Sequence, residues 1–163
     1  MAHPARTALL GLIVPVLFVP VPPSPTTAAI DADVWTPVAA SVVNDDIAAM
    51  GRVYHPAAVL VAADRTQPIA QVLTGWGKDM VANKARGIRA TVEFRFTKRQ
   101  DDAETAFEAG MFKYTVTDRS GVSTPSFVRM EALLVKSQGK WRILMERQLE
   151  TVTEAAWNAL PAR

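Results

Sequence analysis

The chain has 163 residues, a formal net charge of +2 and no cysteine. That length fits one domain, and 49% hydrophobic with 21% charged residues is an ordinary globular balance. The missing cysteines exclude disulfides, thiol nucleophiles and thiolate metal sites, and basic residues interleaved with acids argue against the concentrated basic face of a nucleic-acid binder.

The chain opens on MAHPAR, a short basic stretch, followed by the apolar run TALLGLIVPVLFVPV and the breaker-rich PPSPTTAA. This is the three-part pattern of a secretory signal. Thr27 and Ala29 suit the small-residue rule, so residues 1–29 are predicted to be a leader cleaved after Ala29. Pro15 and Pro20 interrupt the run, which is short for a membrane span. The expectation is a secreted or periplasmic protein with no stable membrane anchor after cleavage, and a single domain over residues 30–163.

Thr36-Pro37 reads as a helix start, with threonine as the cap and proline at the first helical position. Asp46 caps a second helix with Ile47, Met50, Val53 and Tyr54 on one face, and Pro56 ends it. Residues 57–61 form a short apolar strand and residues 62–66 a loop. Gln67-Pro68 starts a third helix carrying Ile69, Val72, Leu73, Trp76 and Met80, with a kink expected near Gly75 and a stop at Gly87. From Ile88 the hydrophobic period becomes two, and strands are expected over 88–97, 104–117, 127–136 and 141–149. Gly110 is a plausible bend point, and a weakly packed helix over 153–160 closes the chain. Helices together, then strands together, is an α+β order.

Three segments carry a likeness: DIAAMGRVYHPAAVLV at Asp46 to Val61, DDAETAFEAGMFKYTV at Asp101 to Val116, and GKWRILMERQ at Gly139 to Gln148. In order and spacing they resemble the nuclear transport factor 2-like superfamily, with the SnoaL-like polyketide cyclases and an uncharacterised sister group as the nearest branches. The likeness spans Thr36 to Gln148. It implies a cystatin-like roll: a cone-shaped, strongly curved mixed or antiparallel sheet wrapped around about three N-terminal helices, with a pocket at its wide end and often a homodimer. It implies no single activity, because members include isomerases, cyclases, dehydratases, epoxide hydrolases and non-catalytic binding modules. Ketosteroid isomerase-like members place a base aspartate just after the first strand. That position falls here on Ala62, which cannot take a proton, and the nearest carboxylate is Asp64.

Strand parity supplies other candidates. Ala106, Glu108, Gly110, Phe112 and Tyr114 share one face; Leu144, Glu146 and Gln148 share another; Phe127, Arg129, Glu131, Leu133 and Val135 a third. If Glu108 and Glu146 point into an apolar cone, burial raises their pKa values. With Arg129 to orient or stabilise an anion, they form a candidate catalytic set. A carboxylate with Arg129 or Arg147 would serve likewise, and the competing reading is an ordinary cross-strand pair of one glutamate with an arginine. Tyr54, His55, Trp76, Tyr114 and Gln148 are the candidate substrate contacts. His55 is the one histidine outside the leader, which excludes a histidine-cluster metal site. No nucleotide or phosphate fingerprint appears. The expected function is an exported protein binding a small apolar or aromatic molecule, with cofactor-free acid/base chemistry of the isomerase or cyclase type if it has an activity. The alternative is a non-catalytic homodimeric module that docks through the convex sheet face, where Arg89, Glu93, Arg95 and Thr97 are placed.

Overall fold

The computed structural model describes residues 24–162, so most of the expected leader, residues 1–23, lies outside the described residues. Residues 24–29, which the sequence reading left out of the domain, are part of the fold. Ser24 caps helix α1 (Pro25–Ile30) by accepting from the Thr27 amide, and Thr27 and Ile30 are buried. The chain continues through a π-helical turn (Asp31–Trp35) directly into α2 (Thr36–Asn44). Thr36 is therefore inside a longer helical run instead of at its start. Pro37 is the physical reason for the π turn. It has no N–H to give and its ring crowds the carbonyl four residues back. The wider turn, closed by the Thr36 N–H onto the Asp31 carbonyl, accommodates both.

Asp45 in the left-handed region ends α2, and Asp46 caps α3 (Ile47–Arg52) through Oδ1 to the Ala49 amide at 2.8 Å. Strand β1 (Tyr54–Val61) follows and begins three residues earlier than expected. Its ladder to the last strand is irregular between Tyr54 and Val59, the stretch holding Pro56, which cannot donate. A tight turn then leads into β2 (Thr66–Pro68), a short strand that the sequence reading took as loop and helix start. Helix α4 (Ile69–Ala85) runs unbroken past Gly75 and Gly77, and stops at Gly87 with φ +70°.

The four long strands are β3 (Arg89–Asp101), β4 (Thr105–Thr117), β5 (Ser123–Ser137) and β6 (Lys140–Thr151). Gln138 and Gly139 form the two-residue turn between β5 and β6, both with positive φ, which matches the right-handed twist of the strands it joins. The sheet order is β2-β1-β6-β5-β4-β3. The β1–β6 pair is parallel and every other pair is antiparallel. The sheet curves around the helices without closing, an α+β architecture as expected. Its core is Ile30, Val34, Trp35, Leu134 and Ile143, each at most 1% exposed.

Three bulges decide which side chains face this core. One, at Thr97 in β3, lies opposite Gly110, where an added Cβ would sit 2.1 Å from the Arg95 carbonyl oxygen. Gly110 is thus the bend point, because only a residue without a side chain lets the two backbones approach so closely. A second interrupts the β5–β6 ladder between Leu133 and Leu134. Leu144 is the extra residue, so Ile143 and Glu146 both face inward, although strict alternation would have set them on opposite faces. The third lies between Val128 and Met130.

Helix α5 (Glu154–Asn158), capped by Thr153, is not weakly packed. Trp157 is 2% exposed and stacks at a tilt on Phe127 over the convex face of the sheet. Arg95 donates to the carbonyls of Trp157 and Leu160 and lies over the Trp157 ring. Arg95, expected on an open docking surface, is therefore committed to holding this helix.

Candidate functional site

Register lays the concave face out in rungs. Glu108 pairs with Ala132, Ala132 with Glu146, and Glu146 with Leu60. Glu108 and Glu146 thus sit on one rung, two strand spacings or about 10 Å apart. Both side chains are buried, at 1% and 8% exposed. Their surroundings divide them.

Glu108 is held in a closed network. Its Oε2 accepts from Trp35 Nε1 at 2.5 Å and its Oε1 from Arg99 Nε at 2.6 Å. Arg99 Nη2 reaches Asp31 Oδ1 at 2.7 Å, and its guanidinium lies over the Phe96 ring. The Thr97 bulge turns Arg99 inward, where it faces Glu108 across the ladder. Burial pushes the Glu108 carboxyl up, and the bonds from Arg99 and Trp35 pull it back down. Glu108 does not line the main cavity, from which Trp35 screens it.

Glu146 lies at the inner end of that cavity, which has a volume of about 510 Å³. Tyr54 Oη donates to Glu146 Oε2 at 2.6 Å and Gln148 Nε2 donates to Oε1 at 2.8 Å. No cation bonds to Glu146 among the described residues. Burial raises its pKa above the usual glutamate range, with the bonds from Tyr54 and Gln148 opposing. Tyr54, also buried, is pushed well up by burial and by the neighbouring charge of Glu146. The walls are apolar, with Trp35, Val42, Met50, Phe94 and Phe112 among them. A small number of polar groups in an apolar cavity of this size is the usual make-up of a small-molecule site.

Three rungs out from the glutamates, Tyr114 and Ser126 mark the rim. Helix α4 adds Asp79 and Asn83, and its C-cap residue adds Arg86. Arg86 Nη2 donates to Asn83 Oδ1 at 2.6 Å. Burial, then the charges of Asp45 and Asp79, raise the Tyr114 hydroxyl.

Of the sequence candidates, Glu146, Tyr54, Trp76, Tyr114 and Gln148 are brought together around one cavity. Three are not. Glu108 belongs to the Trp35–Arg99 network. Arg129 faces outward and pairs with Glu150 at 2.6 Å on the convex side, as the parity of its strand dictates. His55 accepts from the Ala57 amide at 3.1 Å and does not line the cavity. Sequence reasoning missed Trp35, Arg99 and the polar face of α4. The spacing of Asp79, Asn83 and Arg86 at four and three residues was the one available signal for the last, since those positions share a helix face. Among the described residues, no group of three metal-ligating side chains comes together, and no helix is long and apolar enough to cross a membrane.

No family model and no curated protein matches the chain. Solved structures do. A ketosteroid isomerase-like protein from Erwinia carotovora atroseptica aligns with TM-score 0.56 at 19% identity, covering 80% of this chain and 98% of that one. An NTF-2 like protein of unknown function from Shewanella oneidensis aligns at 0.61 and 14% identity, covering 77% and 99%. A protein of unknown function with a cystatin-like fold from Nostoc punctiforme aligns at 0.60 and 14% identity, covering 80% and 95%. At these identities the matches carry the fold alone. They do not single out the SnoaL-like branch.

Proposed function

We propose, for a chain with the nuclear transport factor 2-like fold, that it is an exported protein whose cone receives a small, largely apolar molecule. Glu146 exchanges a proton with that molecule in cofactor-free chemistry of the isomerase or cyclase type. The observation that supports this reading is one buried carboxyl, bonded to no cation, at the inner end of an apolar cavity. Its raised pKa brings its proton affinity toward neutral working conditions, where a general base is most effective. As the anion, Glu146 takes a proton from a carbon next to a carbonyl. Neutral, it returns the proton to another carbon of the same molecule, so atoms balance without a co-reactant. Tyr54 and Gln148 hold the carboxyl in place through both oxygens.

Native mass spectrometry of protein purified gently from its own host tests the reading. A reproducible extra mass, lost on denaturation, is expected. That compound is then offered to the wild type and to Glu146→Gln. Turnover that survives in Glu146→Gln would remove the proton-transfer role, and a clean apo protein would count against the cavity as a binding site. N-terminal sequencing of exported protein tests the leader. Cleavage after Ala29 would remove Ser24 and Thr27, which cap and anchor α1.

One observation favours the second reading, a homodimer through the convex face. Phe107, Leu133, Met145 and Val59 form an outward rung across four strands, beside the Arg147–Glu131 pair. An apolar stripe edged by charge has the anatomy of an interface. Light scattering on the wild type and on Leu133→Glu tests it. A dimer that the substitution splits is expected, and a monomeric wild type would sink the reading.

A further inference from the structure

Resting on that cavity reading, we infer that the occupant is a flat, elongated carboxylate, its charged end at the rim against Arg86 and its uncharged end at Glu146. The lining is spread along the strands. The rung of Glu108 and Glu146 and that of Tyr114 lie six residues of strand apart, about 20 Å of contour, which the bend at Gly110 shortens. The cavity is also bipolar. Polar groups collect at its two ends, and Trp76, Phe94 and Phe112 lie among the walls between them, a lining suited to a planar ligand.

The two ends differ in what they offer. At the inner end, both oxygens of Glu146 are already engaged by Tyr54 and Gln148. A carboxylate placed there would face a second carboxyl in a low-dielectric site, an arrangement that keeps one of the pair from ionising. The anionic end therefore belongs outside. The rim offers three donors, the guanidinium of Arg86, the amide of Asn83 and the hydroxyl of Tyr114, while the Ser126 hydroxyl donates to the Tyr114 carbonyl. The Arg86 guanidinium bonds only to the Asn83 side chain and has no carboxylate partner among the described residues. A guanidinium presents five N–H donors in a fixed fork suited to a carboxylate. Asp79 shares the rim, but Arg86 follows it by seven positions, at the C-cap of α4, about 10 Å along the axis. Burial, with the charges of Asp45 and Asp79, raises the Tyr114 hydroxyl further above its ordinary value, so it stays a donor.

The test uses three probes with one biphenyl methyl ketone core, bearing a carboxylate, a methyl or an ammonium group at the far end. Dissociation constants are measured by calorimetry on the full chain. The carboxylate probe is expected to bind about tenfold more tightly than the methyl probe, the scale of one charge-assisted bond at a partly open site. Added salt should narrow that margin. Arg86→Ala should erase it, and Arg86→Glu should turn the preference toward the ammonium probe. Arg86 is exposed, so neither substitution threatens the core. Equal binding of the three probes would overturn the inference and leave the cavity reading standing. Failure of all three to bind would overturn both.

Discussion

Glu108→Gln should damage stability and leave the chemistry of the cavity alone, because Glu108 is tied into the Trp35–Arg99–Asp31 network. Glutamine keeps one oxygen for the Trp35 indole but turns its NH₂ toward Arg99 Nε, donor against donor. A charge-assisted bond is lost, at about 1.5–3 kcal/mol, and a cation 17% exposed loses one of its two anions. Asp31 still holds the other edge of the guanidinium, so the cost stays below the ~5 kcal/mol upper end for breaking a buried pair. We expect about 3 kcal/mol. Urea unfolding measures it. With a slope of about 2 kcal/mol/M for a domain of this size, the midpoint should fall by roughly 1.5 M. Arg99→Met combined with Glu108→Gln should cost less than the two changes summed, since each removes the other's partner. A midpoint shift under about 0.5 M at unchanged slope would refute the network as a source of stability. Lost turnover with intact stability would return Glu108 to the chemistry.

The same scan on Glu146→Gln should shift stability by less than about 1 kcal/mol, since an amide oxygen still accepts from Tyr54, Gln148 can turn its amide oxygen toward the new NH₂, and no cation is orphaned. Its signature is in the pH dependence. Glu146 and Glu108 have folded pKa values raised above the ordinary 4.5, so the folded state binds more protons than the unfolded one from about that pH upward. Wild-type Tm should fall as pH rises from there to the raised values, and fall less in Glu146→Gln; identical slopes would contradict the burial of this carboxyl. The lowered groups Asp102, Asp118 and Glu150 are exposed and titrate below that window. Gly110→Ala should destabilise by about 2 kcal/mol or more, because backbone cannot give way as a side chain does; a chemical denaturation curve within about 0.5 kcal/mol of wild type would mean the bulge relaxes freely. Trp157→Ala should cost about 3 kcal/mol and speed hydrogen exchange across residues 153–160, whereas unchanged exchange would mean the helix is held by Arg95 alone.

Periodicity was enough for the strand order in the chain and for which residues of β4 share a face, because alternation survives wherever a ladder is regular; that this face is the inner one, with Glu108 and Glu146 buried, was only a condition of the reading. Periodicity failed at the bulges. One extra residue at Thr97 and another at Leu144 reverse the parity beyond them, and no local pattern marks either site. That is why the sequence did not bring Arg99 to Glu108; Arg129 lies on the face of β5 that alternation alone could not tell was the outer one. The convex face was misread for a related reason. A short helix far along the chain covers Arg95, and strand alternation cannot tell solvent from a docked helix. Tyr54, Trp76, Tyr114 and Gln148 came together as expected because their elements all face the hollow inside the curled sheet.

The parallel pairing of β1 with β6 has a kinetic consequence. Strand β1 emerges early in synthesis, but among the described residues its only strand partner besides the three-residue β2 is made some eighty residues later. Contacts of such sequence separation are slow to form, because the intervening loop must close before they stabilise anything. Tyr54 therefore waits for Glu146, and the inner end of the cavity is among the last features to be assembled. A ligand that touches Glu146 cannot act as a template for early folding. It can only trap the finished form, slowing unfolding while leaving the folding rate unchanged.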